Sequence, residues 1–113
     1  MAENALSILT PKRHFRVHHM VGDSMSPTFR PGEPLIVVAI SKFAGEGYYL
    51  FDDGGVMNVY RCSYAGKGMV RFMRDHPTYT SETMSLEWVN ENVIGKIAAS
   101  VKVLDSLLME GAQ

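Results

Sequence analysis

The sequence predicts a mainly β fold of twisted antiparallel sheets with short helical turns. Turn-forming residues recur at intervals that cut the chain into short extended pieces. One of these pieces, PLIVVAI at residues 34–40, is rich in β-branched side chains and has the length of a buried strand. The sequence DDGG at residues 52–55 is a strong hairpin signal. Together these observations favour strands joined by tight turns over a helical domain.

The first half of the chain supplies strands on both sides of a turn. Residues 14–21 form the first predicted strand, which ends at Gly22, and the stretch after it forms a turn or one short helical turn. A proline–glycine pair then breaks the chain before the strand at residues 34–40. The strand at residues 48–52 leads directly into the DDGG hairpin.

The second half continues with further strands and short loops. A return strand, a second hairpin loop and a third consecutive antiparallel strand are predicted at residues 56–63, 65–68 and 69–75. Residues 75–79 form a loop, because the residue before a proline avoids the helical region. A short segment around Trp88 and a last long strand from about Val93 to Val103 complete the predicted fold.

These elements make one domain, which we place at residues 14–105. The chain has 113 residues, of which 46% are hydrophobic, and this is enough for one modest core but not for two. Residues 1–13 are expected to be an N-terminal arm or the remnant of a linker, and residues 106–113 a C-terminal tail.

The composition limits the kinds of molecule that this chain is expected to bind. The chain carries 11 Lys and Arg against 12 Asp and Glu, so its formal net charge of -1 gives no general attraction to nucleic acid or to an anionic membrane. Its longest apolar run has only the length of a strand, and its opening residues lack the order of a secretory signal, so we expect no membrane partner. The single cysteine, Cys62, cannot form an internal disulfide, which favours a reducing, cytoplasmic location.

We expect no cofactor and no metal ion. Strand alternation places His14 and His18 on one face and His19 on the other, without a cysteine or carboxylate pair to complete a zinc site. His76, between an aspartate and a proline, is expected in a loop. Cys62 is expected to be a small buried apolar residue.

The stretch GDSMSPTFRPGEPLIVV at residues 22–38 resembles the serine motif of the LexA-like and UmuD-like peptidases, a family that includes the C-terminal domains of many phage repressors. The segments VYRC, RFMRDHPTY and VIGKIAASV follow in the order and approximate spacing of the family's later strands, so the resemblance covers about residues 15–104. Bacterial signal peptidases share part of the motif. The resemblance implies a LexA/signal-peptidase-like fold.

The resemblance also implies a catalytic dyad of serine and lysine, of which this chain keeps one member. Ser24 stands at the position of the nucleophile, and Tyr60 stands where the family has its lysine. A serine hydroxyl needs a neighbouring base, and lysine serves as one only when burial keeps its amine neutral. A tyrosine holds its own proton up to about pH 10 and cannot collect that of serine. A shift of one residue would present Val59 or Arg61, neither of which is a base.

Several further residues enter through the resemblance. The residues that support the serine by anchoring or shaping its loop are Gly22, Asp23, Met25, Pro27 and Gly32. Lysines outside the dyad position occur at Lys42, Lys67, Lys96 and Lys102. Autocleaving relatives cut an Ala-Gly or Cys-Gly bond that precedes the domain, and residues 1–21 contain neither pair. The chain thus shows neither a complete dyad nor its own substrate.

We therefore expect a catalytically degenerate LexA-like domain, a pseudoenzyme that serves as the dimerisation or higher assembly module of a phage-type or SOS-type transcriptional repressor. Its partner is a second copy of itself, since related domains pair through late strands and C-terminal segments. The expected interface residues are Val93, Ile94, Ile97, Val101 and Val103. DNA binding would belong to a helix-turn-helix domain that this chain lacks.

Two other functions stay open on the sequence alone. The first is an active serine peptidase or autopeptidase, in which Ser24 uses an unconventional base or cleaves in trans. The second is a stand-alone module that captures a peptide or protein segment in the old substrate groove by strand addition.

Overall fold

The structure confirms the mainly β, antiparallel fold. It is a computed structural model that describes residues 14–105, so the predicted arm and tail lie outside the described residues. Within that range, seven strands form one continuous sheet and one short helix packs against it. The elements in chain order are β1 (Phe15–His19), β2 (Pro34–Ala39), β3 (Gly47–Asp53), β4 (Val56–Gly66), β5 (Met69–Met73), β6 (Glu82–Ser85), α1 (Leu86–Asn92) and β7 (Val93–Ser100).

The strand order across the sheet is β1-β2-β7-β3-β4-β5-β6, and every neighbouring pair is antiparallel. The predicted run of three consecutive strands is present as β3, β4 and β5, joined by the two tight turns that the glycine-rich sequences require. The last strand, β7, inserts between β2 and β3 and so joins the two halves of the chain. This leaves β1 and β6 as the outer strands.

The differences from the sequence prediction lie mostly after residue 80. Strand β6 was not predicted, because the sequence ETMS has a single half-buried apolar residue, Met84, and forms a strand only by pairing with β5. The segment around Trp88 is the helix α1, which begins where the Ser85 hydroxyl accepts the N–H of Trp88. The last strand ends at Ser100 rather than at Val103. In residues 14–105 there is no helix whose length and apolarity would let it span a bilayer.

Buried side chains form two clusters, one on each face of the sheet, since neighbouring residues of a strand point in opposite directions. The first cluster, which we call the loop-side core, contains Met20, Met25, Phe29, Leu35, Val37, Leu50 and Val59. The second, the helix-side core, contains Tyr49, Phe51, Tyr60, Cys62, Val70, Phe72 and Val89. The stretch that carries Ser24 covers the first face, and α1 covers the second.

Candidate functional site

Residues 22–32, which we call the serine loop, connect β1 to β2. The N–H of Met20 donates to the carbonyl of Glu33 at 2.9 Å, and the carbonyl of Met20 accepts the N–H of Gly32 at 2.6 Å. Gly22 and Gly32 have φ of 77° and 83°, a left-handed conformation that suits glycine. The backbone therefore holds the two ends of the loop together.

Two apolar side chains fasten the serine loop to the sheet. Met25 is fully buried in the loop-side core and Phe29 is nearly so. The ring of Phe29 meets that of Tyr48 edge-on with centroids 4.9 Å apart, and its N–H donates to the carbonyl of Met25 at 2.9 Å. Met25 thus turns into the fold as expected, whereas Pro27 is exposed and follows a cis peptide bond.

Ser24 lies just before this anchor and is half-buried. Its carbonyl accepts the N–H of His76 at 2.9 Å, and the neighbouring Asp23 carbonyl accepts the N–H of Ser26 at 2.9 Å. The Ser24 hydroxyl makes no hydrogen bond with another residue in the part of the chain that the structure describes. A hydrogen bond therefore holds the backbone at Ser24, but the proton of the Ser24 hydroxyl has no acceptor among the described residues.

His76 brings an imidazole to the serine loop, and both ring nitrogens face other partners. Nε2 is 3.9 Å from Oδ2 of Asp23, and Nδ1 is 2.8 Å from Oγ1 of Thr78. The ring stands edge-on to Tyr79, whose hydroxyl donates to Oδ1 of Asp23 at 3.4 Å. His76 lies in the loop between β5 and β6, as the sequence predicted. This geometry ties the loop to Asp23 and does not direct the imidazole at the Ser24 hydroxyl.

Tyr60 belongs to the helix-side core, on the face opposite to Val59 and Met25. Its ring packs at 4.9 Å from that of Phe72, and its hydroxyl accepts a hydrogen bond of 3.1 Å from Nη2 of Arg74. The structure does not join Tyr60 to Ser24 by a hydrogen bond within residues 14–105. The aromatic packing that the sequence favoured for Tyr60 over a catalytic role is what the structure has.

Arg74 contacts both Tyr60 and Tyr79, and Tyr79 in turn contacts the serine loop. Its guanidinium lies 4.9 Å from the ring centroid of Tyr60 and 5.3 Å from that of Tyr79, and it also pairs with Glu82 at 3.7 Å. Because the hydroxyl of Tyr79 reaches Asp23, this series of contacts from Tyr60 ends at the residue next to Ser24.

A second polar group, which sequence reasoning missed, is centred on Asp75 and fixes the serine loop to β3 and β4. Oδ2 of Asp75 accepts hydrogen bonds from the hydroxyls of Thr28, at 2.5 Å, and Tyr48, at 2.7 Å, while Oδ1 is 4.0 Å from the guanidinium of Arg61. Burial, and then the hydrogen bond to Asp75, raise the pKa of Tyr48. We call these four residues the Asp75 network. The only sequence signal was the position of residues 75–79 in the resemblance, which placed that loop near the serine.

The lysines lie away from the dyad position. Lys96 donates from Nζ to the carbonyl of Ala44 at 2.8 Å, and its ammonium is 5.5 Å from the ring centroid of Tyr49. Lys42, Lys67 and Lys102 make no hydrogen bond to Ser24 among the described residues. No lysine amine of residues 14–105 therefore forms a hydrogen bond with the Ser24 hydroxyl.

The predicted interface residues fall into two groups. Val93, Ile94 and Ile97 are half-buried in β7, where they pack against the two cores. Val101 and Val103 follow the strand and are exposed. The interface stays a prediction, and the structure leaves its second group available for contact.

Strand β7 has a neighbour on both sides over only part of its length. Strand β3 pairs with it no further than Tyr49 opposite Lys96, whereas β2 continues to Leu35 opposite Ser100. Among the described residues, the last part of β7 thus has one unpaired edge. That edge runs on towards Leu104, which is 86% exposed.

The remaining titratable and sulfur-bearing groups of residues 14–105 do not form a metal site. Within residues 14–105 no three His, Cys, Asp or Glu side chains lie close enough to share a metal ion. Cys62 is fully buried in the helix-side core, and burial raises the pKa of its thiol from 9.0 to about 12. It is a packed apolar residue, as the sequence predicted.

Comparison with protein-family models and with curated proteins gives no relative to set beside this site. No protein-family model matches the chain, and no curated protein matches its sequence at a significant level. The resemblance to the LexA-like peptidases therefore rests on the sequence motif and stays a prediction.

Proposed function

We propose that this chain is a catalytically degenerate LexA-like domain that works as the self-association module of a phage-type or SOS-type transcriptional repressor. The observation that carries the proposal is a serine loop that is closed, anchored and hydrogen-bonded while the Ser24 hydroxyl has no base among the described residues. In this proposal Tyr60 replaces the dyad lysine and fills its space with an aromatic side chain held by Arg74.

In this proposal the domain has no peptidase activity because no group of residues 14–105 is placed to accept the proton of the Ser24 hydroxyl. Attack by a serine hydroxyl requires a group that takes its proton, and the contribution of such a base is on the order of 10²–10⁴ in rate. The amine of Lys96 is committed to the carbonyl of Ala44, and the imidazole of His76 lies between Asp23 and Thr78. A hydroxyl without an acceptor stays a poor nucleophile.

Self-association is supported by the end of β7 and the residues after it. The unpaired edge beyond Lys96 continues into a segment whose apolar side chains Val101, Val103 and Leu104 are exposed. An open strand edge beside exposed apolar residues is a ready template for a second copy of the same strand. The proposal assigns DNA binding to a separate helix-turn-helix domain, in keeping with the net charge of -1.

Sedimentation velocity tests the assembly. The wild-type chain should sediment as a dimer or larger at high micromolar concentration. The double variant Val103→Asp/Leu104→Asp should sediment as a smaller species, because it loses this C-terminal contact. Val56→Asp is the matched control, because Val56 is 60% exposed on the β3–β4 hairpin, away from β7, and should assemble like the wild type. A wild-type chain that stays monomeric throughout this range contradicts the proposal.

One alternative is a serine peptidase with His76 as its base. The hydrogen bond from the His76 N–H to the Ser24 carbonyl favours it, since this contact brings an imidazole to the serine loop. The imidazole would have to leave Thr78 to reach the hydroxyl. Cleavage of an Ala-Gly peptide that is lost in both Ser24→Ala and His76→Gln would support this alternative.

The other alternative is a peptide-binding module. It is favoured by β4, whose residues before Arg61 pair with β3 but have no partner in β5, so that one edge is unpaired among the described residues. A peptide that slows amide exchange at residues 56–60 without changing the sedimentation coefficient of the protein would support it.

A further inference from the structure

Strand β1 forms one outer edge of the sheet, and its register with β2 shows which backbone groups face outward. The carbonyl of His14 accepts the N–H of Ala39 at 3.0 Å, and the N–H of Met20 donates to the carbonyl of Glu33 at 2.9 Å. Hydrogen-bonded pairs alternate along an antiparallel ladder, so the even-numbered residues of β1 bond to β2. The N–H and C=O groups of Phe15, Val17 and His19 therefore point away from the sheet.

Two large apolar side chains of this edge are exposed, Phe15 at 47% and Val17 at 50%. Outer strands are commonly protected by charged side chains, especially lysine, and by proline. Strand β1 has one charged residue, Arg16, and neither lysine nor proline. The opposite edge, β6, is shorter and begins with Glu82. Of the two outer strands among residues 14–105, β1 is thus the one that combines unpaired backbone with exposed large apolar side chains.

We propose that β1 pairs with β1 of a second copy of this chain, antiparallel and with a twofold axis through Val17. In this register Val17 faces its own counterpart, and Phe15 faces His19 of the second copy. These are the three residues with outward backbone groups, so the two strands would exchange six hydrogen bonds. Two seven-stranded sheets would then continue into each other across the axis.

The side chains that meet across the axis are compatible with this register. Val17 packs on its counterpart and Phe15 on an imidazole, and such aromatic and β-branched pairs stabilise strand pairing. On the other face Arg16 meets His18 of the second copy. Burial lowers the pKa of His18, with smaller contributions from Arg16 and His19, which favours the neutral imidazole beside the guanidinium.

This contact is separate from the one proposed at the end of β7 and does not depend on it. Pairing along five residues buries less than the ~1,600 Å² of a standard stable interface, so it should be populated at high micromolar concentration and dissociate on dilution. Two self-complementary contacts on one chain would link dimers into tetramers and larger assemblies.

Disulfide trapping tests the register. The Cα atoms of a hydrogen-bonded antiparallel pair are about 5.5 Å apart, within the range that a disulfide spans. Val17→Cys should cross-link under mild oxidation at least about tenfold faster than the control Val56→Cys, which is similarly exposed, while the native Cys62 is buried. Equal rates for the two variants would overturn the proposal. Cross-linking of Val17→Cys that persists with Val103→Asp/Leu104→Asp would separate this contact from the C-terminal one.

Amide exchange measured by NMR identifies what covers the edge. The amides of Arg16 and His18 should exchange slowly at all concentrations, whereas those of Phe15, Val17 and His19 should become protected only as concentration rises. Val17→Lys should abolish that added protection, and Val56→Lys should not. Odd-numbered amides that are never protected would overturn the proposal. Protection that is independent of concentration would overturn it as well, because the edge would then be covered by a segment of the same chain.

Discussion

The loop-side core and the helix-side core share β3 and β4 but differ in the groups that they hold in place. On the loop side, Met25 and Phe29 pack under the serine loop, and the Asp75 network bonds it to the sheet. On the helix side, Tyr60 is one member of an aromatic group and its hydroxyl is bonded by Arg74. The shape of the serine loop thus depends on contacts in which the Ser24 hydroxyl takes no part. Such a loop can keep its shape without a base beside Ser24.

The largest effects are expected from emptying either core. Phe51 is fully buried and its ring contacts those of Tyr49, Tyr60, Phe72 and Trp88, so Phe51→Ala should lower the free energy of unfolding by about 3–5 kcal/mol. Met25→Ala should cost about 2–4 kcal/mol and, unlike Phe51→Ala, should also expose residues 22–32 to limited proteolysis.

Urea denaturation and protease mapping of both variants measure this contrast. Val56→Ala, at an exposed position, is the control and should cost less than about 0.5 kcal/mol. Equal protease sensitivity of the serine loop in the Met25 and Phe51 variants would show that the loop is not held by the loop-side core.

A smaller effect is expected from the Asp75 network. Asp75→Asn keeps the shape of the side chain but removes the charge that accepts hydrogen bonds from Thr28 and Tyr48. Because the carboxylate is only 14% exposed, the loss should be about 2 kcal/mol. Tyr48→Phe should cost about 1 kcal/mol, and the double variant less than the sum of the two, which a double-mutant cycle would measure. Strict additivity would mean that the two residues do not interact.

The hydroxyl of Tyr60 should matter less than its ring. Tyr60→Phe keeps the contacts with Phe51 and Phe72 and removes the acceptor of the Arg74 hydrogen bond, so it should cost about 1 kcal/mol. Tyr60→Ala should cost several times more. If both variants lost the same stability in urea denaturation, the packing role of Tyr60 would be wrong.

The smallest effect is absent at neutral pH and appears in alkali. Burial raises the pKa of Cys62 from 9.0 in the unfolded chain to about 12 in the folded one. This difference leaves the free energy of unfolding unchanged below about pH 9. It lowers that free energy as the pH rises towards 12, by about 1 kcal/mol at pH 10. Cys62→Ala should show a shallower decline between pH 8 and pH 10 than the wild type. An identical decline would mean that the thiol does not contribute.

Much of the sheet could be predicted from the sequence, because the strands β2 to β5 are separated by glycine-rich turns and carry regular apolar patterns. After residue 80 the last strand, β7, could be predicted, but β6 and α1 could not. Strand β6 has little apolar content and depends on β5 for its hydrogen bonds. The seven residues of α1 are too few for a helix to be predicted from their pattern without the Ser85 cap.

The candidate site was predictable to a similar extent. The serine loop is a continuous stretch, so its glycines and its buried methionine could be identified from the resemblance of that stretch to a known motif. The Asp75 network joins four residues from four separate segments, and the bond between Arg74 and Tyr60 spans a hairpin. Contacts of this kind depend on the register of the sheet, which local sequence patterns do not determine.

The most direct test of the central claim is mass spectrometry of the chain after incubation with a fluorophosphonate, a reagent that modifies serine hydroxyls activated by a base. We expect no adduct on Ser24 in the wild-type protein. An adduct on wild-type Ser24 that is absent from Ser24→Ala would contradict the claim that the hydroxyl lacks a base.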